Sequence, residues 1–401
     1  MKKALFAFII IFLSLLSNAQ KKENFSISDS LLKISNSRVP FEQVVTFINA
    51  GEHYIFSKGD SALLLLSEAE RIAKDNKIDF LLPEIYNLMF QVESKVTGNY
   101  PGALFHSLNQ LTYALKNIED GLAYDRQFFA VTSVDWANYN IAFSYAFLGN
   151  KQKANEYIDK VDVQFMQMQD HPDYVKKYSL DTGMIISVYG SNAQFYILLN
   201  DLAKAKWYND KAIMINESLP DSTRWCEPYI VKGDILSIQN DYKNGIENFQ
   251  KAIPIAIKRG FFKDVIEANY GIANNYYKMN EMDSAMKYAN NVIRLSGSYT
   301  FSEGVLKANQ LLYQIWKQKN NRDSTLFYLE NAYALRERYF SNIKKYESKN
   351  QALEEALHQS NTSEPGTKQR NVISVTVIVL LVIGLFIYFI SIKRKKRSMR
   401  K

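Results

Sequence analysis

Residues 272–293 read IANNYYKMNEMDSAMKYANNVI, and this stretch decides the fold. Its first half is apolar and rich in tyrosine and runs up to Asn280. Its second half carries Ala285 as a small residue near its start. Apolar residues recur every three or four positions on both sides of Asn280, which is typical of amphipathic helices. The stretch therefore predicts two helices joined by a short turn at Asn280.

The same layout recurs along the chain, for example in residues 230–253, which read IVKGDILSIQNDYKNGIENFQKAI. In each copy a Gly or Asn precedes a small residue by five positions. The turn residues are Gly149, Asn200, Asn240, Asn280 and Asn320, and the small residues are Ala154, Ala205, Gly245, Ala285 and Thr325. Two upstream copies, residues 58–69 and 98–108, add Ala62 and Ala103. The spacing is 40 residues in the last four units and 41 or 51 upstream, which predicts seven helical hairpins with insertions near His171.

This pattern resembles the tetratricopeptide repeat family. The small and large positions of the family's motif are held in one unit by Ala273, Tyr276, Ala285, Ala289 and Val292. Small residues let two antiparallel helices approach closely, and large ones fill the gap to the next hairpin. The resemblance implies an all-α, tetratricopeptide-like α-solenoid over residues 41–346. Because the period exceeds the family's usual ~34 residues, either the helices or the turns between units are longer.

Both ends of the chain carry membrane signals. Lys2 and Lys3, an apolar run to Leu16 and the small residues before Gln20 are typical of a secretory signal cleaved after Ala19. An uncleaved anchor is the alternative. Near the other end, Val372 to Ile392 is uncharged over 21 residues, which as a helix matches a hydrocarbon core of ~30 Å. The basic cluster that begins at Lys393 is expected to stay cytoplasmic.

These signals predict a single-pass inner-membrane protein whose repeats lie on the periplasmic, extracytoplasmic side and whose C-terminus is cytoplasmic. The predicted segments are a signal peptide (1–19), an N-terminal segment (20–40), the repeat array (41–346), a juxtamembrane helix and tether (347–370), the transmembrane helix (371–392) and a basic tail (393–401). Residues 331–359 contain no Gly or Pro and predict that the array ends in a long helix. That helix is either a solvated stalk or an element that transmits motion to the span.

Charge and composition narrow the function classes. The formal net charge is +8, but Lys2, Lys3 and the seven basic residues from Lys393 onward account for +9 of it, so the remainder is about −1. The array therefore has no net electrostatic reason to bind nucleic acid. Cys226 is the only cysteine, which favours a buried free thiol within a helix over a disulfide. The four histidines lack metal-ligand spacing, and no nucleotide or nucleophile motif occurs, so we expect no enzyme, cofactor or metal.

The function class that these expectations leave is the binding of a protein or peptide. In the family, four positions of each first helix face the inner groove, and here the third and sixth units place aromatic and amide side chains there. The predicted partner-binding residues are Trp136, Tyr139, Phe143, Tyr270, Asn274 and Tyr277, with Ala146 and Glu267 completing the two sets. Such side chains could hold an extended peptide by stacking and hydrogen bonds, although packing between units is the alternative. Tyr139 and Tyr270 stand where some family members carry a basic clamp for a peptide carboxylate, so that kind of receptor is not expected.

Two functions stay open. The layout resembles bacterial membrane-anchored tetratricopeptide sensor-regulators, in which a cytoplasmic effector domain follows the span, whereas here nine residues follow Ile392. We therefore expect first a non-enzymatic scaffold that binds a protein or peptide partner. The alternative is the receptor half of a signalling system whose effector is absent or lies on a separate chain.

Overall fold

The computed structural model describes residues 39–55, 59–120, 127–161, 182–295 and 303–362, and these fold entirely as helices and turns. They contain fourteen α-helices: α1 Pro40–Tyr54, α2 Gly59–Asp75, α3 Leu82–Gln91, α4 Tyr100–Glu119, α5 Gln127–Phe147, α6 Lys151–Ile158, α7 Thr182–Leu198, α8 Leu202–Ser218, α9 Glu227–Ile238, α10 Tyr242–Arg259, α11 Phe262–Lys278, α12 Met282–Leu295, α13 Glu303–Gln318 and α14 Arg322–Thr362. A 3₁₀ turn, Asp79–Leu81, precedes α3, and a π-helical turn, Val92–Thr97, follows it.

Consecutive helices pack in pairs, from α1 with α2 to α11 with α12. At the end of the array, Tyr328 and Leu335 of α14 pack against the core cluster that includes Leu312 and Ile315 of α13. The described residues thus form seven helical hairpins, the number that the sequence predicts. The predicted all-α repeat fold is confirmed for this part of the chain.

One turn geometry is repeated between the two helices of a hairpin. Gly149 and the four predicted asparagines have positive φ angles, between 55° and 79°. In every case the next residue donates its backbone N–H to a carbonyl five positions back, as Asp241 does to Leu236 at 2.9 Å. This is the hydrogen bond that closes a helix ending in a left-handed residue. Glycine and asparagine are favoured there because other side chains are strained at positive φ.

The residue after the left-handed one often starts the next helix. The side chains of Asn150, Asp201 and Asn321 each accept a hydrogen bond from a backbone N–H three residues further on, at 3.0 to 3.1 Å. Such caps satisfy a donor that the first helical turn leaves without an intrahelical partner. A two-residue signal, one residue to end a helix and one to begin the next, therefore fixes these turns.

Small residues lie where hairpins approach most closely. Ala62, Ala103, Ala154, Ala205 and Ala285 are fully buried. Phe249 of α10 fills the space between α9 and α11, and it does so against two glycines. A Cβ on Gly233 would lie 2.7 Å from the Phe249 ring, and a Cβ on Gly271 would overlap the same ring. Bare backbone at these two positions is what admits the phenylalanine.

The long repeat period is explained by long helices. Helices α10 and α11 have 18 and 17 residues, and only two residues, Gly260 and Phe261, connect them. Of the two alternatives that the period left open, longer helices are therefore correct here. The insertion predicted near His171 lies outside the described residues.

The final helix begins nine residues earlier than the predicted residue 331. It begins at Arg322 as the second helix of the seventh hairpin and continues without a break to Thr362, over 41 residues. The long helix is therefore an extension of the array. The chain divides into two compact units between Tyr339 and Phe340, so the first unit holds α1–α13 and the start of α14, and the second holds the rest of α14.

The membrane signals fall outside the part of the chain that the structure describes. Among the described helices, none is long and apolar enough to cross a bilayer. The predicted signal peptide (1–19) and transmembrane helix (371–392) both lie beyond these residues, so they stay predictions.

Candidate functional site

A cleft on the first unit gathers side chains from five successive hairpins. It is lined by the π-helical turn and the start of α4, by α5 and α7, and by the starts of α9 and α11. Its cavity volume is about 90 Å³, measured over the positions that the centre of a water molecule can take. Since one water needs ~10–15 Å³ on this scale, the cleft has room for one side chain with a few waters. It is too small to bury a folded partner.

The start of α9 is held in place by one buried asparagine. Asn216 of α8 donates its side-chain amide to the carbonyl of Trp225 at 2.9 Å and accepts the backbone N–H of Trp225 at 2.8 Å. Pro228 at the first turn of α9 has the φ angle that a helix start needs. The two hydrogen bonds from Asn216 and the proline together position Trp225, Cys226 and Glu227 at the cleft.

The Glu227 side chain packs against α7. A Cβ on Gly190 would lie 3.1 Å from the Glu227 carboxyl carbon, so the glycine leaves the space that this side chain uses. The neighbouring Ser191 donates its hydroxyl to Glu227 Oε1 at 3.2 Å. Burial raises the pKa of Glu227 to about 7, and Lys95 acts against that rise. The cost of burying this charge is therefore only partly offset by its neighbours.

Asp264 lies beside Glu227 and receives a weak donor. The Cys226 thiol is 3.1 Å from Asp264 Oδ2 and donates to it. Burial, and then the nearby charge of Glu267, raise the pKa of Asp264. Cys226 is only 1% exposed, and burial together with Asp264 raises the pKa of its thiol. The prediction of a buried free thiol is confirmed, but its placement within a helix is wrong, because Cys226 is the N-cap of α9.

Two lysines reach the same cleft. Lys263 pairs with Glu267 one turn further along α11, with 2.7 Å between Nζ and Oε1. Burial lowers the pKa of Lys263, but Glu267, Tyr100 and Asp264 outweigh burial and raise it. Lys95, on the π-helical turn, has its Nζ 3.5 Å from the Ser187 hydroxyl. The cleft lining therefore carries three carboxylates and two ammonium groups.

A further carboxylate continues this acidic face along α9. Asp234 lies seven residues after Glu227, two helical turns along the same side of the helix. Burial, and then Glu267, raise the pKa of Asp234 to about 7, while Lys307 lowers it. Lys307 is itself paired with Glu303 at 2.7 Å. Within the described residues, Asp234 has no ion pair.

Aromatic rings form the walls of the cleft. Tyr100 and Phe147 stack with their centroids 4.0 Å apart and their planes at 11°, and Phe143 lies 4.8 Å from Phe147. On the other side, Trp225 and Phe261 lie 5.9 Å apart. All five rings line the cleft. The cleft therefore combines apolar aromatic rings with carboxylate groups.

The residues that the sequence predicts on α5 are mostly packed. Trp136 is half-buried, Tyr139 and Phe143 are 4% and 8% exposed, and Ala146 is buried. Trp136 meets the edge of Tyr139 at 6.2 Å, and Tyr139 stacks on Phe143 at 6.3 Å. The three rings form a continuous row that ends at the cleft with Phe143.

The residues that the sequence predicts on α11 are more accessible. Tyr270, Asn274 and Tyr277 are all half-buried. Lys307 lies 5.9 Å from the centre of the Tyr270 ring, and the Tyr277 hydroxyl accepts a hydrogen bond from Gln318 at 2.9 Å. Glu267 belongs to the same predicted set and lines the cleft. The two predicted sets therefore meet at the cleft through Phe143 and Glu267, and partner binding by the six chosen residues stays a prediction.

Several cleft residues have no signal in the repeat pattern. Lys95 comes from the π-helical turn, and Trp225 comes from the connection that precedes α9. Both lie outside the groove-facing positions of a regular first helix. The position of Glu227 at the start of a helix could have been predicted from sequence, because the Glu-Pro pair marks a helix start. In the described part of the chain, no group of three or more His, Cys, Asp or Glu side chains is arranged to hold a metal ion.

Comparisons with known proteins identify the class of repeat. The tetratricopeptide repeat family matches residues 227–256 and 266–299, which contain most of α9–α10 and α11–α12. These two hairpins match the tetratricopeptide repeat, and the described part of the chain around them is an all-α helical repeat. Proteins with repeats of this family are typically non-enzymatic scaffolds that bind proteins or peptides. No curated protein sequence matches the chain.

Many solved structures are similar at low identity. One is a signal transduction ATPase with numerous domains (STAND) that has a tetratricopeptide repeat sensor, from Pyrococcus horikoshii: 18% identity, TM-score 0.40, covering 67% of this chain and 41% of that one. Another is a tetratricopeptide repeat protein from Parabacteroides merdae, with 14% identity and a TM-score of 0.39; the match covers 76% of this chain and 98% of that one. A third is a Rap protein complexed with Competence and Sporulation Factor, with 16% identity and a TM-score of 0.39; the match covers 75% of this chain and 99% of that one. This chain thus spans less than half the length of the first, and with TM-scores below 0.5 none of these likenesses bears on function.

Proposed function

We propose that this protein is a non-enzymatic scaffold that binds a peptide or protein partner along the inner side of its repeat array. The observation that carries the proposal is the cleft, to which five successive hairpins contribute side chains. A continuous surface of this kind is how stacked repeats contact an extended partner. Two of the contributing hairpins are tetratricopeptide repeats, whose relatives bind proteins or peptides.

The proposal includes anchorage in the inner membrane. The signal peptide, the 21-residue apolar run and the basic tail predict that the array lies outside the membrane and the tail inside. Fractionation of cells should recover the full chain with membranes. Removing residues 372–401 should release it, and protease added to spheroplasts should degrade the array. Recovery of the full chain in the soluble fraction would contradict this part of the proposal.

Partner binding is tested by capturing proteins with the full chain and with two matched variants. The groove variant changes Tyr270 and Tyr277 to Ala; both rings are half-buried and lie at the edge of the core cluster that includes Leu312 and Ile315. The control variant changes Phe327 and Tyr333 to Ala, since these are exposed aromatics on α14. A partner lost only by the groove variant supports the proposal, provided that circular dichroism shows both variants folded. A partner retained by the groove variant, or none recovered by the wild type, contradicts it.

The receptor alternative is favoured by one observation. Helix α14 is continuous from Arg322 to Thr362, and in sequence it leads from the seventh hairpin toward the predicted span. Deleting residues 393–401 while replacing them with another basic anchor distinguishes the two functions. A scaffold should keep its partner and its cellular role, whereas a receptor should keep its partner and lose its output.

A further inference from the structure

The three carboxylates of the cleft are half-buried, and two of them have no cation in direct contact. Glu227 is held by the Ser191 hydroxyl and Asp264 by the Cys226 thiol, and neither makes an ion pair with a described residue. Only Glu267, paired with Lys263 at 2.7 Å, has a direct cationic partner. Thiols and hydroxyls are weaker donors to a carboxylate than an ammonium or guanidinium group is. The carboxylates of the cleft therefore outnumber its ammonium groups, and two of the three carboxylates have no direct ion pair.

The shape of the cleft suits a long, basic side chain. Its six aromatic rings, which include Phe262, provide apolar walls, and its volume admits one side chain but no larger body. Lysine and arginine carry an apolar stem below a charged head, and either head is attracted to the face of an aromatic ring. Trp225 already packs against the Arg259 guanidinium at 4.3 Å on one side, which shows that this ring accepts a cation.

An anion or a metal ion fits less well. An anion would approach three carboxylates, and one of the two lysines is already paired. The described carboxylates are not grouped as metal ligands. The charge of the cleft thus complements a monovalent organic cation.

We propose that the cleft between α7, α9 and α11 binds a lysine or arginine side chain of an extended partner peptide, with Glu227 and Asp264 accepting hydrogen bonds from its charged head. This deepens the function proposed above and rests on it. Asp234, ~10 Å further along α9, extends the acidic face and receives a second basic residue of the same peptide. In an extended chain ~10 Å is about three residues, so the two basic residues are three positions apart.

The inference is tested by selecting binding peptides from a random library, so that no peptide sequence is assumed in advance. A library of random, end-capped octapeptides is selected for binding to the full chain in detergent micelles, and the enriched sequences are read. The expected result is enrichment of Lys or Arg in pairs three positions apart. Affinity of the best peptide should fall at least about tenfold in the E227Q/D264N variant and stay unchanged in E247Q, which removes an exposed carboxylate on α10.

The outcomes separate this inference from the function on which it rests. Glutamine and asparagine keep the size and the acceptor oxygen of the original side chains, so E227Q/D264N is expected to stay folded, which circular dichroism checks. Peptides that bind without basic residues, or that bind E227Q/D264N as well as the wild type, overturn the inference and leave groove binding intact. If no peptide binds the wild type, both the inference and peptide binding by the groove fail.

Discussion

Neutralising Glu227 should stabilise the protein by an amount that grows as the pH rises from about 4.5 and is complete above about pH 7. The carboxyl has a usual pKa of 4.5, and burial raises it to about 7 in the folded state. The folded protein therefore binds this proton more tightly than the unfolded chain does. Stability from this group is full below about pH 4.5 and is lost as the pH rises through about 7. Glutamine carries no charge at any pH and avoids that loss.

The size of the effect follows from the shift. A rise from 4.5 to about 7 corresponds to roughly 3 kcal/mol at most. Because Glu227 is partly exposed, water screens some of that cost, and we expect about 1–2 kcal/mol for Glu227→Gln at pH 8. The corresponding rise in the melting midpoint is roughly 2–4 °C.

Thermal melts of the full chain followed by circular dichroism at pH 5 and pH 8 measure this difference. Glu247→Gln is the matched control, because Glu247 lies exposed on α10 and should give little change at either pH. A Glu227→Gln variant that is less stable than wild type at pH 8 would refute the reasoning. So would a gain of equal size at both pH values, since that would point to packing rather than charge.

Three further predictions concern the turns, the packing and the thiol. Asn280→Ala should lower stability by ~1 kcal/mol relative to Asn280→Gly, because φ is 63° at this position, and equal melting midpoints would contradict this. Gly271→Ala should cost ~1–3 kcal/mol by overlap with Phe249, and Phe249→Leu in the same chain should recover part of that loss in a double-mutant cycle, whereas additive costs would contradict the contact. Cys226, buried beside Asp264, should react with a thiol reagent only after urea unfolds the protein, and rapid reaction of the native chain would contradict its burial.

The turns and the small residues of the array could be predicted from sequence because they are local. A left-handed Asn and a capping residue beside it, as in Asn200-Asp201, act within a few residues of one another. Ala285 and the equivalent alanines recur with the repeat, so their burial follows from position, whereas Thr325 in the last unit is only half-buried. Seven hairpins could therefore be counted without a structure.

The cleft could not be predicted in the same way. Phe143 and Glu267 lie at regular groove-facing positions and were within reach of the pattern. Lys95 and Trp225 enter the cleft because the stacking of the hairpins brings a π-helical turn and an interhelical connection to one place. That placement depends on how each hairpin packs on the next, and no local spacing encodes it.

The central claim, that the inner side of the array holds the partner, is tested most directly by site-specific photo-crosslinking in cells. A photoreactive phenylalanine analogue replaces Phe262, an exposed aromatic that lines the cleft, or Trp207, an exposed aromatic of α8 that does not. Both variants should be made in the full chain and illuminated under the same conditions. Binding along the inner side predicts a crosslinked partner from position 262 and none from position 207. Crosslinks of equal yield from both positions, or from position 207 alone, would contradict it.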